Sequence, residues 1–353
     1  LLLSMILLAL CLIQASADNY YFKIKLLNEK GEPQAWSKYI EVSFDTQNSV
    51  YVNGLKDLID GKTVKDESKG EYTLSKTADN KVDLDRIYGI VFANGKGRGK
   101  SEQLNILEGD EYEKAWKQIR EHIKYLELRE YQRDIYTDKG YFMDMFKLEK
   151  LELPKGGMKV GNGGEDCQYY FANAHNLKTI TIWNGNAAVD ITDDTVKDKK
   201  ILLGSVGEYM FANCCGLSTK YINRLIKDVT EIKNNAFRAD EGNRDKFDKF
   251  SDLVAANKMA IDIPSSVTKI GDQAFYNRVK VTGLNIHGNG GLEIGFEAFR
   301  GCDELANITL DNITPDNKEL RIYKNAFRGC KQLKAFENMN NAKITYLGTG
   351  VFG

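Results

Sequence analysis

Self-similarity limits this chain more than any other feature. Three stretches align without gaps: Ile270-Gly-Asp-Gln-Ala-Phe275, Ile294-Gly-Phe-Glu-Ala-Phe299 and Ile322-Tyr-Lys-Asn-Ala-Phe327. Two of them continue in parallel, as Phe299-Arg-Gly-Cys302-Asp-Glu-Leu305 and Phe327-Arg-Gly-Cys330-Lys-Gln-Leu333. From each Phe the next apolar positions fall at +6, +9 and +11: Leu305, Ile308 and Leu310 in one unit, Val281, Leu284 and Ile286 in another. The same offsets mark earlier copies, Leu177, Ile180 and Ile182 after Phe171, and Leu148, Leu151 and Leu153 after Phe142. Val206 and Ile232 stand five residues before Phe211 and Phe237, and Leu347 five before Phe352. The eight anchors are then spaced by 29, 40, 26, 38, 24, 28 and 25 residues. A basal unit of 24–28 residues carries two inserted loops, around Trp183–Lys200 and Arg238–Asn257. Such a chain does not close around one core. Each unit buries little alone, and stability comes from stacking.

The +6, +9, +11 triplet reads as the Leu-x-x-Leu-x-Leu of a leucine-rich repeat, with its last two apolar residues alternating inward on a short strand. Ile-Gly-x-x-Ala-Phe is expected to return along the opposite side as a turn or short helix, with Ile and Phe in the core and Ala allowing close approach. Position Phe+3 holds Cys214, Cys302 or Cys330, or Ala174, Met145 or Arg278. A small thiol recurring at a core position packs as a compact hydrophobe. A Cys302–Cys330 bridge between adjacent coils is the alternative, and the sequence leaves it open. Ile261-Asp-Ile-Pro-Ser-Ser-Val-Thr-Lys-Ile-Gly-Asp-Gln-Ala-Phe275 and Ala298-Phe-Arg-Gly-Cys-Asp-Glu-Leu-Ala-Asn-Ile-Thr-Leu310 resemble the BspA-like class of leucine-rich repeats. The resemblance covers about two-thirds of the chain. It implies an α/β solenoid and a secreted or surface protein resembling adhesins that bind host matrix proteins or other microbes. The family's motif residues are structural, so no catalytic or ligand residue comes with them.

The residues before the repeats divide differently. Residues 1–17 (LLLSMILLALCLIQASA) carry no charge and end in small-x-small Ala15-Ser16-Ala17, which reads as an export signal cleaved near Ala17. Residues 18–108 are expected to form a small β-rich module, a sandwich being one form, with strands at Tyr20–Leu27, Tyr39–Phe44, Ser49–Val52 and Ile87–Phe92. Residues 109–125 are expected to supply a helix with Ala115, Ile119 and Ile123 on one face, capping the first coil. The solenoid then runs over 126–353. Val351-Phe-Gly353 stops one residue past a repeat Phe, as a truncated reading frame would.

The chemistry-bearing motifs are thin. With 49 Lys+Arg against 50 Asp+Glu, a basic nucleic-acid surface is excluded, and no further run reaches membrane-spanning length. Asn94-Gly-Lys-Gly-Arg-Gly-Lys-Ser101 nearly matches a phosphate-binding loop but lacks its first Gly and a following helix of useful length. Gly161–Asp166 and Asp190-Ile-Thr-Asp-Asp194 are isolated acidic segments that read as solvated loops, although one cation at the second stays open. His122, His175 and His287 fall in different elements without ligand spacing, and no nucleophile elbow is present. The sequence therefore predicts no catalytic residue, no metal and no cofactor.

What remains is the outward face of the strands: Lys150 and Glu152; Thr179, Thr181 and Trp183; Asn285 and His287; Asn307 and Thr309; Ala335 and Glu337. This strip is expected to bind an extracellular protein or glycan, with Trp183 as an aromatic anchor unless it packs under the first insertion. A secreted enzyme docked by its repeats, with its activity in the N-terminal module or in missing sequence, and a purely structural surface component are the other readings.

Overall fold

The computed structural model describes residues 20–28, 30–33, 40–44, 54–66, 70–93, 110–128, 140, 142–159, 167–240, 242, 260–288, 291–311, 319–338 and 342–353. The export segment, the loop at 94–101, the strand expected at 49–52, the acidic run at 161–166 and most of the second insertion lie outside these residues.

The N-terminal third supplies β1 (Tyr20–Leu26), β2 (Ile40–Phe44), helix α1 (Gly54–Ile59), β3 (Val64–Asp66), β4 (Gly70–Tyr72), β5 (Ile87–Ala93) and helix α2 (Asp110–Arg120). The coils follow with β6 (Tyr125–Glu127), β7 (Lys150–Leu153), β8 (Met158–Lys159), β9 (Thr179–Trp183), β10 (Ala188–Asp190), β11 (Leu202–Val206), helix α3 (Thr219–Ile226) and β12 (Val229–Ile232). The array ends with β13 (Ile261–Ile263), β14 (Lys269–Ile270), β15 (Gly283–His287), β16 (Leu292–Ile294), β17 (Asn307–Asp311), β18 (Glu319–Ile322), β19 (Ala335–Glu337) and β20 (Lys343–Leu347).

Coils stack so that equivalent strands pair in parallel on two sides. One side carries β6, β7 and β9, and later β13, β15, β17 and β19; the other runs without interruption from β8 through β11, β12, β14, β16 and β18 to β20. The second sheet differs from the expected turn or short helix. Each Ile of the motif ends a strand, with Ile270 beside Ile294 and Ile294 beside Ile322, and the residues that follow, through and just past Phe, form turns. The fold is therefore a mostly β solenoid with few helices. β5 pairs in parallel with β6, and β1 pairs antiparallel with both β2 and β5. The N-terminal strands thus share a sheet with the first coils.

The repeat triplets occupy the core as expected. All twelve residues after Phe142, Phe171, Phe275 and Phe299 are at most 2% exposed. The eight phenylalanines form one column. Successive ring centroids lie 5.9, 5.4, 5.7, 5.3, 4.9, 5.4 and 6.0 Å apart, with planes within 26°. Helix α2 covers the first ring: Trp116 meets Phe142 edge-on at 6.2 Å, and Arg120 pairs with Asp144 at 2.8 Å. The helix stops at Arg120 rather than 125 because Tyr125 begins β6. Trp116 and Ile119 are buried on the helix, and Ile123 is buried in the link that follows it.

A coil of this length must reverse sharply, and it does so on both sides of most of the anchors. Tyr169, Tyr209, Asn235, Gln273, Glu297 and Asn325, two residues before the anchors, have φ of 54–60°. Asp144, Asn173, Asn213, Asn277, Gly301 and Gly329, two residues after, have φ of 57–74°. Asn and Gly suit this left-handed region best. The longer side chains are held there by neighbours. Gln273 Nε2 donates to Glu297 Oε2 at 2.8 Å, and Arg300 pairs with the other Glu297 oxygen. Burial alone would raise the Glu297 pKa, but these donors hold its carboxyl below the usual range. In the following column Asn173 donates to Asp144 at 2.7 Å and Asn213 to Asn173 at 2.8 Å, so polar side chains also stack coil on coil.

Candidate functional site

A stacked array uses most of its motif residues on itself, so a site is built from what is left outward. The second sheet leaves little. Glu231, Lys269, Glu293 and Arg321 stand in register across β12, β14, β16 and β18, with Lys269–Glu231 at 3.4 Å and Arg321–Glu293 at 3.2 Å. Exposed pairs of this kind add only about 0.2–1 kcal/mol each. Their alternation nevertheless neutralises that face.

The first side bears the expected strip, with every predicted residue on a strand at outward parity. The structure divides it into two patches. In the first, Glu152 is fully buried and Thr181 is 5% exposed, so neither is an open contact. The Tyr125 hydroxyl from β6 lies within hydrogen-bond reach of both Glu152 and Glu127, and the Lys150 ammonium sits 4.8 Å above its ring. Thr179 is half-buried, as is Trp183, which pairs with Ala188 where β10 folds back antiparallel on β9. That hairpin ends the seven-stranded sheet.

Helix α3 then stands where the Phe211 coil would place its strand, a break the repeat template did not foresee. Its residues join the two patches. The Tyr221 hydroxyl donates to Asp190 at 2.5 Å, and burial together with that carboxylate raises the phenol pKa. Arg224 donates to the carbonyls of Ile191, Val196 and Lys199, tying the first insertion down. Asn223 donates to Asp262 at 3.0 Å and to the Ala260 carbonyl at 2.9 Å. The acidic segment of this insertion is occupied locally. Asp190 Oδ1 accepts from the Thr192 backbone and hydroxyl, and Asp193 Oδ1 does the same for Thr195.

The second patch is the outward face of β13, β15, β17 and β19. Asp262, Asn285, Thr309 and Glu337 form one row in register. Asn285 donates to Asp262 at 2.8 Å. His287 sits between two acids, with Nε2 3.9 Å from Asp262 and Nδ1 3.5 Å from Asp311. Asn307 lies exposed between Gly283 and Ala335. Sequence reading missed Asp262 and Asp311. Strand parity could have found both, since Asp262 alternates with buried Ile261 and Ile263, and Asp311 follows buried Leu310.

The histidines stay apart. His122 contacts Asp85 at 2.6 Å, His175 packs on Phe146 at 5.5 Å, and His287 lies on the second patch. Among the described residues, no group of three or more His, Cys, Asp or Glu is placed to hold a metal.

The five described cysteines are free thiols, including Cys302 and Cys330. Three repeat one contact: Cys214, Cys302 and Cys330 each donate to the carbonyl of an anchor Phe in an earlier coil, Phe171, Phe275 and Phe299, at 3.2, 3.3 and 3.2 Å. The fully buried Arg278 takes this position in its own coil and reaches the Cys214 carbonyl at 3.2 Å. Burial pushes the Cys214 and Cys330 thiols up from 9.0 to about 12. A raised thiol pKa keeps its full stabilisation below the unfolded value and loses it as pH climbs toward the folded one. Between about pH 8 and about pH 10.5 the urea midpoint of the parent should therefore fall more than that of Cys214→Ala. Equal slopes would show that the thiol does not contribute to the alkaline loss.

A family model for BspA-type leucine-rich repeat regions matches residues 121–243 and 250–353, in six copies. The chain belongs to the BspA-type leucine-rich-repeat family. A human protein, leucine-rich repeat-containing protein 66, is 25% identical over 160 residues, 45% of this chain; the match spans 17% of that protein's length. A leucine-rich cell surface protein from Faecalibacterium prausnitzii A2-165 aligns with TM-score 0.32 at 15% identity, covering 82% of this chain and 79% of that one. A leucine-rich repeat protein from Bacteroides ovatus ATCC 8483 aligns with TM-score 0.21 at 12% identity, covering 81% of each chain. The family is a repeat-based binding scaffold. In this BspA-type chain the family's Ile, Gly, Ala, Phe and Cys positions are spent on packing between coils. Among the described residues, no helix is long and apolar enough to cross a membrane.

Proposed function

We propose that this protein is an exported, non-enzymatic binding protein of the cell surface or its surroundings, and that it presents the β13–β19 face to an extracellular protein or glycan. The supporting observation is the contrast between its faces. The second sheet neutralises its own charges, and Glu152 and Thr181 are buried. Asn307, Thr309 and Glu337 instead point outward from strands whose alternate residues are fixed in the core. Such a surface binds by many modest contacts on a rigid support, while Lys150 and Trp183 belong to the separate patch on β7 and β9. The apolar segment 1–17 supports export.

Asn307→Trp tests this reading, because Gly283 and Ala335 leave room for a bulky side chain that would cover the centre of the face without entering the core. The purified chain is passed over immobilised extracellular-matrix proteins and a glycan array. Any partner bound by the parent should bind Asn307→Trp at least about tenfold more weakly, while Glu231→Gln on the opposite sheet leaves binding unchanged. Absence of any partner, or equal binding by Asn307→Trp, would remove the proposal.

A further inference from the structure

We propose that the β13–β19 face takes a basic partner, an extended Lys- or Arg-rich protein segment lying across the strands. This rests on the reading of that face as the docking surface and names the chemistry it selects. The whole chain is almost neutral, 49 basic against 50 acidic residues, and the second sheet alternates sign in register. The outward positions of β13, β15, β17 and β19 break that pattern. They carry Asp262, Asp311 and Glu337 and no Lys or Arg, the other positions being two neutral amides, a hydroxyl, His287, Ala335 and Gly283.

The three carboxylates remain accessible, with Asp262 and Asp311 44% and 54% exposed. Asp262 is oriented by amide donors from two elements, Asn223 of α3 and Asn285 of β15. Neither donor carries charge, and apart from His287 at 3.9 Å no Lys or Arg among the described residues pairs with this carboxylate. This contrasts with the acids elsewhere on the same coils: Glu304 pairs with Lys280 at 2.8 Å and Asp303 with Lys331 at 3.0 Å.

The spacing suits an extended chain. Asp262 and Glu337 end one row three strand spacings apart, about 14 Å. An extended peptide covers that distance in about four residues and projects alternate side chains to one side. Two basic residues four apart would then meet Asp262 and Glu337, with Asp311 one row along. Aligned charge of this kind sets which partner is accepted and how fast it associates.

The probe is a fluorescein-labelled peptide alternating Lys or Arg with Ser, compared with the same peptide carrying Glu, titrated with the full chain and read by anisotropy. The basic peptide should bind and the acidic one should not, and binding should weaken with rising salt. The combined variant Asp311→Asn, Glu337→Gln leaves the hydrogen bonds of Asp262 intact, keeps side-chain volume and should weaken binding about tenfold at an unchanged Tm. The pair Glu231→Gln, Glu293→Gln should not alter it. Equal binding of the two peptides, or undiminished binding by the neutralised variant, overturns the proposal. If Asn307→Trp abolishes binding to a partner that the neutralised variant still binds, the basic-partner proposal falls and the docking face stands. If neither variant changes binding, both fall.

Discussion

Phe275→Ala is expected to cost about 3–5 kcal/mol, the range for truncating a fully buried aromatic residue. Its ring lies 5.3 Å from Phe237 and 4.9 Å from Phe299, in the middle of the column. Truncation removes both stacks and leaves a cavity that two fixed neighbours cannot fill. In a solenoid the loss is also directional. Stability is approximately a sum of coil terms and nearest-neighbour terms, so weakening one interface uncouples the coils on either side. The two sides are not equivalent, since Trp116 covers the first ring while Phe352 at the last is half-exposed. The C-terminal coils should therefore unfold first. The chain's three tryptophans, at 36, 116 and 183, all precede the break. Urea unfolding followed by tryptophan fluorescence should then lag behind far-UV circular dichroism in the variant and coincide with it in the parent. Phe352→Ala, at a half-exposed position, should cost much less. A single coincident transition for Phe275→Ala, shifted no further than that of Phe352→Ala, would show that the column does not couple the coils.

The same column explains which parts of the molecule were legible in the sequence. The triplet at +6, +9 and +11 was readable because inward positions on a strand demand apolar side chains, and the repeats print that demand several times. The second sheet was not. Its strands are short, two residues at Lys269–Ile270 and three at Leu292–Ile294, so at most one or two inward residues mark each and the alternation is too brief to detect. Parallel pairing between coils, which no single coil encodes, makes them strands. The left-handed turns did leave a signal in the Asn and Gly residues two positions either side of Phe, but Gln273 and Glu297 obscured it by relying on tertiary hydrogen bonds.

The binding strip shows the same division. Parity placed all ten predicted side chains outward on their strands. Parity says nothing about cover, and so could not show that Glu152 and Thr181 are buried. The break at α3 was also hidden. Thr219-Lys-Tyr-Ile-Asn-Arg-Leu-Ile226 places apolar residues at helical spacing inside a unit whose template predicts a strand. Its tertiary contacts, Arg224 to the first insertion and Asn223 to Asp262, fix it as a helix.

Gly295→Ala should destabilise the array by about 1–3 kcal/mol, the cost of overpacking a site that cannot yield. The glycine of the Ile-Gly motif is not there for its φ, which is negative or extended at Gly271 and Gly295 alike. It is there for space. A Cβ at Gly295 would stand 2.7 Å from both the Asp272 nitrogen and the Gly271 carbonyl carbon, backbone atoms of the preceding coil. At Gly271 the equivalent atom would lie 2.5 Å from the Asn234 nitrogen. Relief requires the coils to move apart, which stretches the Gly295 N–H···O=C bond to Ile270, 2.8 Å long, and pulls Phe299 from Phe275. Lys233 and Tyr323 occupy the same motif position in other coils, so a coil can be set to admit a side chain; the coil holding Gly295 is set without one. Gly291 provides the control within that coil, since a Cβ there would meet nothing closer than the Glu319 carbonyl oxygen at 3.6 Å. Gly291→Ala should leave the urea midpoint almost unchanged and Gly295→Ala should lower it. Equal midpoints for Gly291→Ala and Gly295→Ala would mean that backbone contact does not set the coil spacing at this edge.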